Sequence, residues 1–407
     1  MDKRPVIAIV AHDVGGTGGM ERHLEELVTR LKRDANVIVV ASTLNVADSS
    51  GIRFVRIRVP RRPAALKIIL FAILASIRIR FLRFDILHTT GAIVFNRADV
   101  STVHFCHAGY MEATGGSRAR HEASILHRFN QSLSTKLALL MERAIYQRQR
   151  TGQLVAVSSR VKNEILHHFP YDDADVHVIP NGVDVHRFAP VSATEKRRLR
   201  KERGLSEHGT YVLFMGGDWR LKGLEYVIRA FNQAYTRIPN TYLVVVGQGN
   251  KELYSSFVAP EVRNHVHFVG QQPDAHAWFG LSDVFVFPSS YETFSLVVHE
   301  AAASELVVLS CRVGGVEDLI RDGVSGIFID RDVALLTAQM CSVVTDLGRY
   351  REMRRNARRA VVSLTWEKMY CGCRVLYSRV LESKEKHRGR FRNGHIAAEA
   401  NRRSGTH

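Results

Sequence analysis

Two glutamates, Glu292 and Glu300, stand eight residues apart in the stretch SYETFSLVVHEAAASE at residues 290–305. An ionised carboxylate among apolar residues is costly unless it meets a partner, so each needs a structural cation or a ligand. The apolar run DVFVFPS before them reads as a strand, and the stretch from Thr293 or Phe294 onward reads as a helix. The N–H groups of Phe294, Ser295 and Leu296 are then the unpaired donors of its first turn, where an anion is favoured. Eight helical residues advance ~12 Å and bring Glu300 to within about 80° of Glu292 around the axis. Two acceptor-only carboxylates with an anion site between them suit an elongated ligand bearing hydroxyls at separate points. The structural alternatives are a capping role for Glu292 and a buried salt bridge for Glu300.

Other strand-to-helix loops carry glycines and cations. FMGGDWRLKG, residues 214–223, sets Gly216 and Gly217 before Arg220 and Lys222, a pair suited to clamping a diphosphate as well as to a solvated basic turn. HDVGGTGGMERH, residues 12–23, places Gly16, Gly18 and Gly19 ahead of a helix starting near Met20. Glycine lets backbone N–H groups approach a phosphate closely. Glu21 stands where the third glycine of a GxGxxG series would fall, so a dinucleotide fingerprint is not supported. His104 and His107 end the run VSTVHFCH and face the same cleft as structural or catalytic histidines. No Asp-x-Asp or His-rich set accompanies them, and no metal site is expected.

These loops need a scaffold. Apolar β-rich runs (VIAIVAH, VIVVAS, FDILHTT, LVAVSS, then YVLFMGG, YLVVVGQG, DVFVFPS, LVVLSCRVGG) alternate with helix-length segments. Continuous apolar strands of this kind indicate parallel sheets covered on both faces, and ligands of such sheets bind beyond the strands' carboxyl ends. At 407 residues the chain exceeds one ordinary core. The predicted organisation is α/β, with two Rossmann-like, doubly wound domains facing across a cleft. Residues 1–188 and 189–365 form the domains, 366–383 a final helix packing back on the first domain, and 384–407 a basic disordered tail.

The balance of 57 Lys and Arg against 40 Asp and Glu, +17 in all, calls for an anionic partner. Residues 53–83 hold nine Lys or Arg and no acid around KIILFAILASI. That composition suits an interfacial helix on an anionic membrane surface, or a core helix with a basic edge. The apolar run is interrupted by Lys67 and too short to span a bilayer. No aromatic-interleaved basic module supports nucleic-acid binding. Five scattered cysteines without zinc spacing fit a reducing cytoplasm.

Taken together, GGMERHLEELVTRL, AVSSRVKNEI, VIPNGVDVHRF, FMGGDWRLKG, LVVVGQG and the SYETFSLVVHEA to GGVEDLIRDGVSGIFI block resemble the retaining GT-B glycosyltransferases of family 4, glycosyl transferases group 1. The family's E-x7-E signature falls on Glu292 and Glu300. The resemblance implies a UDP- or GDP-sugar donor held by the second domain, a glycan or lipid-linked acceptor held by the first, and no metal or other cofactor. Glu300 takes the ribose hydroxyls and Glu292 lies by the donor sugar. Gly216, Gly217, Arg220 and the Phe294–Leu296 N–H groups face the donor. Lys222 meets its diphosphate, the Gly16, Gly18 and Gly19 loop closes from the other domain, and His104 is the cleft histidine, with His107 as its competitor. Gly217 stands where the family often has arginine, with Arg220 as the candidate substitute. The implied role is hexose transfer in cell-surface polysaccharide or lipopolysaccharide synthesis, by an enzyme peripheral to the inner face of the cytoplasmic membrane. A sugar-nucleotide epimerase of the same fold is the alternative.

Overall fold

The computed structural model describes residues 4–16, 18–60, 62–115 and 125–403. The β-rich runs form two parallel sheets. In the first, β1 (Val6–Val10), β2 (Asn36–Ala41), β3 (Ile52–Arg56), β4 (Ile86–Thr90), β5 (Ala98–Val103), β6 (Thr151–Ala156) and β7 (Val176–Val178) lie in the order β3-β2-β1-β4-β5-β6-β7. In the second, β8 (Thr210–Met215), β9 (Thr241–Val246), β10 (Val266–Gly270), β11 (Val284–Phe287), β12 (Val307–Ser310) and β13 (Ile327–Phe328) lie in the order β10-β9-β8-β11-β12-β13. Both are doubly wound, and the strand order reverses beside β1 and beside β8. A crevice therefore opens at the carboxyl ends of those strands, where the glycine loops after β1 and β8 and the Glu292 stretch after β11 emerge.

Burial explains the continuous apolar strands. Ile7 to Val10 sit between β2 and β4, with Ile7 opposite Val37 and Ile86, and are almost fully enclosed. Tyr211 to Phe214 and Val284 to Phe287 fill the same role in the second sheet. Val183 and Phe188 already belong to the second domain's core, so the chain changes domains directly after β7.

Six helices bear on the site: α1 (Gly19–Leu31), α2 (Ala64–Arg80), α3 (His107–Thr114), α4 (Trp219–Lys222), α5 (Leu296–Ala303) and α6 (Trp366–Arg403). Among the described residues no helix is long and apolar enough to cross a membrane. α6 corrects an expectation, because it runs on to Arg403 where the sequence predicts its end at 383 and a disordered tail beyond. Trp366, Met369, Tyr370, Cys373, Leu376 and Tyr377 anchor its first half among residues of α1, β1 and β2, at helical spacing. The lysines, arginines, glutamates and alanines that follow are good helix formers. Residues 404–407 lie outside the described residues.

The start of α6 is fitted against the seam. The Val183 N–H donates to the Leu364 carbonyl at 2.8 Å, and a Cβ on Gly182 would lie 2.2 Å from the Trp366 nitrogen. Gly182→Ala must push backbone from backbone, and is expected to cost roughly 1–3 kcal/mol. Gly217→Ala, where a Cβ would meet nothing within 4 Å, is expected to leave stability nearly unchanged. Urea unfolding of the two variants beside the parent checks the contrast.

Candidate functional site

The stretch after β11 is a loop before it is a helix. α5 begins at Leu296, not at Thr293 or Phe294, because Ser295 adopts a left-handed conformation at φ 62°. The ~12 Å helical spacing therefore does not apply between Glu292 and Glu300, and Glu292 caps nothing. The donors of the true first turn begin at Leu296. The loop is held from beneath by the glycines after β12. The Gly314 N–H donates to the Glu292 carbonyl at 3.1 Å. A Cβ on Gly314 would lie 2.4 Å from that oxygen, and one on Gly315, at φ +75°, 2.2 Å from the Phe294 carbonyl. Close approach is required at both positions, and the neighbour is the loop's own backbone.

Glu292 meets Lys222, the last residue of α4, in a half-buried ion pair, and its Oε1 also accepts from Ser289 Oγ at 2.8 Å. Glycine makes the lysine's position possible. Gly223, at φ +79°, packs where a Cβ would come within 2.3 Å of the Pro288 carbonyl, seating the end of α4 against the strand-end loop of β11. Gly216 lies at the end of β8, where its carbonyl accepts from Trp219 Nε1 at 3.0 Å. Arg331, outside every sequence motif considered, donates to the carbonyls of Leu221 and Arg220 and fixes the turn that carries Arg220 and Lys222.

Glu300, one turn into α5, is buried and pairs across the cleft with Arg22 of α1 at 2.9 Å. The structural alternative of a buried salt bridge is thus what the chain shows. Burial pushes the Glu300 carboxyl up to about 7 against the opposing pull of Arg22. The Arg22 guanidinium also lies over the rings of Phe188 and Trp366. The two helix starts meet directly, since a Cβ on Gly19 would be 3.2 Å from the Leu296 side chain. The Gly16, Gly18 and Gly19 loop therefore faces the first turn of α5 from the opposite domain.

Two further contacts tie the loop to the first domain. Thr293 Oγ1 donates to the His104 carbonyl at 2.8 Å, and the Tyr291 hydroxyl donates to Glu164 at 2.9 Å. His104 Nε2 is buried with no hydrogen-bond partner among the described residues. Its ring packs edge-on to His23, centroids 4.5 Å apart. Burial, then the neighbouring His23 and His88, hold it well below the usual histidine range, so it serves as a neutral polar group. His107 is engaged elsewhere, its Nδ1 2.7 Å from Glu142. The Phe294 ring stacks on His299 at 4.1 Å and is core, leaving only its backbone for the cleft. Ser295 Oγ is buried without a partner among the described residues.

Sequence reasoning missed Arg22, Ser289, Thr293 and Arg331. Arg22 lies inside the quoted GGMERH, but its role depends on two domains being docked. Ser289 and Thr293 flank the glutamate and read as ordinary loop residues. Among the described residues, the group of three metal-ligand types is Glu112, His167 and His168, on α3 and the end of the helix Ser159–His168 rather than beside Lys222.

A raised carboxyl pKa has a definite linkage. Between about 4.5 and 7 folded Glu300 holds a proton that the unfolded chain has lost, so its contribution is full below 4.5 and disappears as pH rises through 7. The stability of the parent relative to Glu300→Gln is expected to fall between pH 5 and pH 8, by an amount on the order of 3 kcal/mol. Thermal midpoints of both proteins across that range check it; a flat difference means that the carboxyl is ionised throughout.

Comparison with known proteins agrees with this geometry. Residues 17–187 match the model of Glycosyltransferase Family 4, and residues 195–360 that of glycosyl transferases group 1. A D-inositol 3-phosphate glycosyltransferase of Corynebacterium kroppenstedtii is 29% identical over 226 residues, 53% of this chain and 50% of that protein. An uncharacterized glycosyltransferase of Methanocaldococcus jannaschii is 32% identical over 182 residues, 44% of this chain and 46% of that protein. The matches thus span about half the length of these curated relatives. Among solved structures, WaaG, a glycosyltransferase involved in lipopolysaccharide biosynthesis, superposes with a TM-score of 0.75 at 18% identity, covering 92% of this chain and 98% of its own. Anabaena HepE in complex with UDP-glucose gives 0.67 at 16%, covering 94% and 100%. These likenesses establish the fold, and the two family models between them take in most of the sequence: the chain belongs to the group 1, family 4 glycosyltransferases and has their GT-B fold.

Proposed function

We propose that the chain transfers a hexose from a UDP- or GDP-sugar to a glycan or lipid-linked acceptor, with retention of anomeric configuration and without a metal. The observation that carries this reading is the convergence of Lys222, Glu292, Glu300 and two helix starts from opposite domains on one cleft. Departure of a nucleoside diphosphate builds negative charge on phosphate. Lys222 and the first N–H groups of α5 stand ready to meet it, with the α1 glycine loop opposite. Glu300 accepts hydroxyls of the ribose in exchange for Arg22. Glu292, which neutralises Lys222 in the free chain, orients the donor sugar, and His104 offers its unpartnered Nε2 as a neutral donor or acceptor. The C1–O bond to the diphosphate breaks as the acceptor oxygen bonds to C1 on the same face. The acceptor's proton passes to the leaving phosphate oxygen. The solved relative that holds UDP-glucose supports a nucleotide-sugar donor, and the relatives named for inositol phosphate and lipopolysaccharide support a glycan-building role.

A panel of UDP- and GDP-sugars tests the donor by thermal shift, since the right one stabilises by mass action. One member is expected to raise the melting temperature clearly, and transfer from it to survive EDTA. Lys222→Ala is expected to lower turnover at least 100-fold, about 2.7 kcal/mol or more of transition-state stabilisation. Near-normal turnover would move charge stabilisation elsewhere, and loss of activity in EDTA would end the metal-free mechanism.

The acceptor-side surface supports work at a membrane. α2 buries Phe71, Ala72, Ala75 and Ile79, and exposes Leu66, Ile69, Ile73, Ile77 and the adjoining Phe81. Exposed cations flank the end of this face, among them Arg78, Arg80 and Arg83, and no acid falls between residues 53 and 83. An apolar helix face ringed by cations matches an anionic bilayer at the cytoplasmic side. The protein is expected to sediment with phosphatidylcholine vesicles containing phosphatidylglycerol and not with phosphatidylcholine alone. Ile69→Ser with Ile73→Ser should reduce that binding several-fold.

A further inference from the structure

A basic cavity lies on the acceptor side, built from Asp13 of the first glycine-rich loop and from cations of the basic run at residues 53–83. Its volume is about 410 Å3, and Asp13, Ser42, Thr43, Arg56, Arg58 and Lys67 line it. Topology places it at the carboxyl ends of three adjacent strands. Asp13 follows β1, Ser42 and Thr43 follow β2, and Arg56 and Arg58 end and follow β3, while Lys67 comes from the first turn of α2. It therefore opens on the same edge of the first sheet as the glycine loop at residues 15–19.

The chemistry of the lining is unbalanced. Its one carboxylate, Asp13, is already satisfied by Thr43 Oγ1 at 2.7 Å and Lys67 at 3.1 Å. Arg56 and Arg58 are exposed, and no carboxylate pairs with either among the described residues. Ser42 Oγ and His12 Nδ1 are buried atoms without a hydrogen-bond partner among the described residues. Ser42 donates its backbone N–H to the His12 carbonyl at 2.8 Å, so the two are adjacent, and Ser42 lines the cavity. Two unpaired guanidiniums, an ammonium and an idle hydroxyl at a strand-end cavity form a donor set for phosphate oxygens.

We infer that this cavity binds a phosphate group of the acceptor, and that the acceptor is a phosphorylated molecule rather than a neutral glycan. The inference rests on the glycosyl-transfer reading for the word acceptor, but the phosphate site stands on its own residues. The cavity exceeds a phosphate in volume, leaving room for a second phosphate or the first sugar ring. α2 connects it to the membrane-facing surface, because Lys67 lines the cavity while Leu66 and Ile69 on the same helix face outward. A lipid-linked phosphate and a soluble sugar phosphate share this chemistry.

The test titrates inorganic phosphate into the full chain by 31P NMR, beside Arg56→Gln/Arg58→Gln and Lys222→Ala. Both arginines are exposed, and an unchanged thermal midpoint verifies that the double variant folds. The expected result is at least a tenfold loss of phosphate affinity in the double variant, little loss in Lys222→Ala, and unchanged nucleotide affinity in the double variant. Loss in Lys222→Ala alone would place the phosphate in the diphosphate position and overturn the inference. A vesicle arm, phosphatidylcholine with and without a polyprenyl phosphate, separates the sources. Binding that needs the polyprenyl phosphate and fails in the double variant supports a lipid-linked phosphate, and phosphate bound in solution with no vesicle preference supports a soluble one. Equal damage from Arg80→Gln/Arg83→Gln, outside the cavity, would reduce the effect to surface charge and overturn the site. Phosphate binding without any nucleotide binding would overturn glycosyl transfer and leave the cavity assignment intact. Efficient transfer to a neutral acceptor, unaffected in the double variant, would do the reverse.

Discussion

A carboxylate buried at the meeting of two domains must find its cation in the other domain, and Glu300 finds Arg22. The pair does more than tie one domain to the other. Arg22 extends from the helix that begins at Gly19, and Glu300 from the helix that begins at Leu296, whose side chain rests against Gly19. Fixing the pair fixes the distance between two helix starts, each a pole of positive potential. The spacing of these two helix starts is therefore tied to an ion pair that joins the domains. Because the pair is buried, removing one partner leaves the other unpaired, so a ligand entering between them must replace the contact it breaks. Hydroxyls are suitable replacements for the carboxylate side, and the rings of Phe188 and Trp366 can still hold the guanidinium.

The second constraint is backbone proximity. Lys222 reaches Glu292 only because Gly223 lies against Pro288, and the Glu292 loop keeps its shape only because Gly314 and Gly315 pass within van der Waals limits that a Cβ would violate. The surface that these three glycines approach is protein rather than ligand. A glycine beside a site often serves the loop that presents the functional group, and Gly217, exposed and with nothing within 4 Å of where a Cβ would lie, is the contrasting case.

Much of the fold was written in the sequence because parallel strands covered on both faces must be apolar without interruption, and a doubly wound order follows once helices separate them. Less of the site was. Glu292, Glu300, Lys222 and the glycine loop were recognisable by residue type and by the family resemblance, and the structure brings them to one cleft. The helix start was misjudged since Ser295 enters a left-handed conformation that serine seldom adopts. Phe294 was read for its backbone N–H, and its ring belongs to the stack with His299. Arg22 and Arg331 act only through residues more than 100 positions away, a distance over which no local pattern signals. The tail beyond residue 383 was judged by its want of apolar residues, whereas its helical propensity and an anchored first half carry it on.

Net charge gains meaning from the same comparison. A surplus of 17 positive charges suggests any polyanion, and exposed pairs such as Arg33 with Glu367 or Arg198 with Glu195 show how many cations are occupied at the surface at little energetic consequence. Residues 53–83 differ because no acid in the stretch answers their cations. The fold splits that one basic run into two environments. Arg78, Arg80 and Arg83 border an outward apolar helix face, where charge acts at the range of a Debye length, while Arg56, Arg58 and Lys67 turn onto a cavity at strand ends, where charge acts through hydrogen bonds. A single β-strand and the helix after it thus present one group of cations beside an exposed apolar face and another at a strand-end cavity.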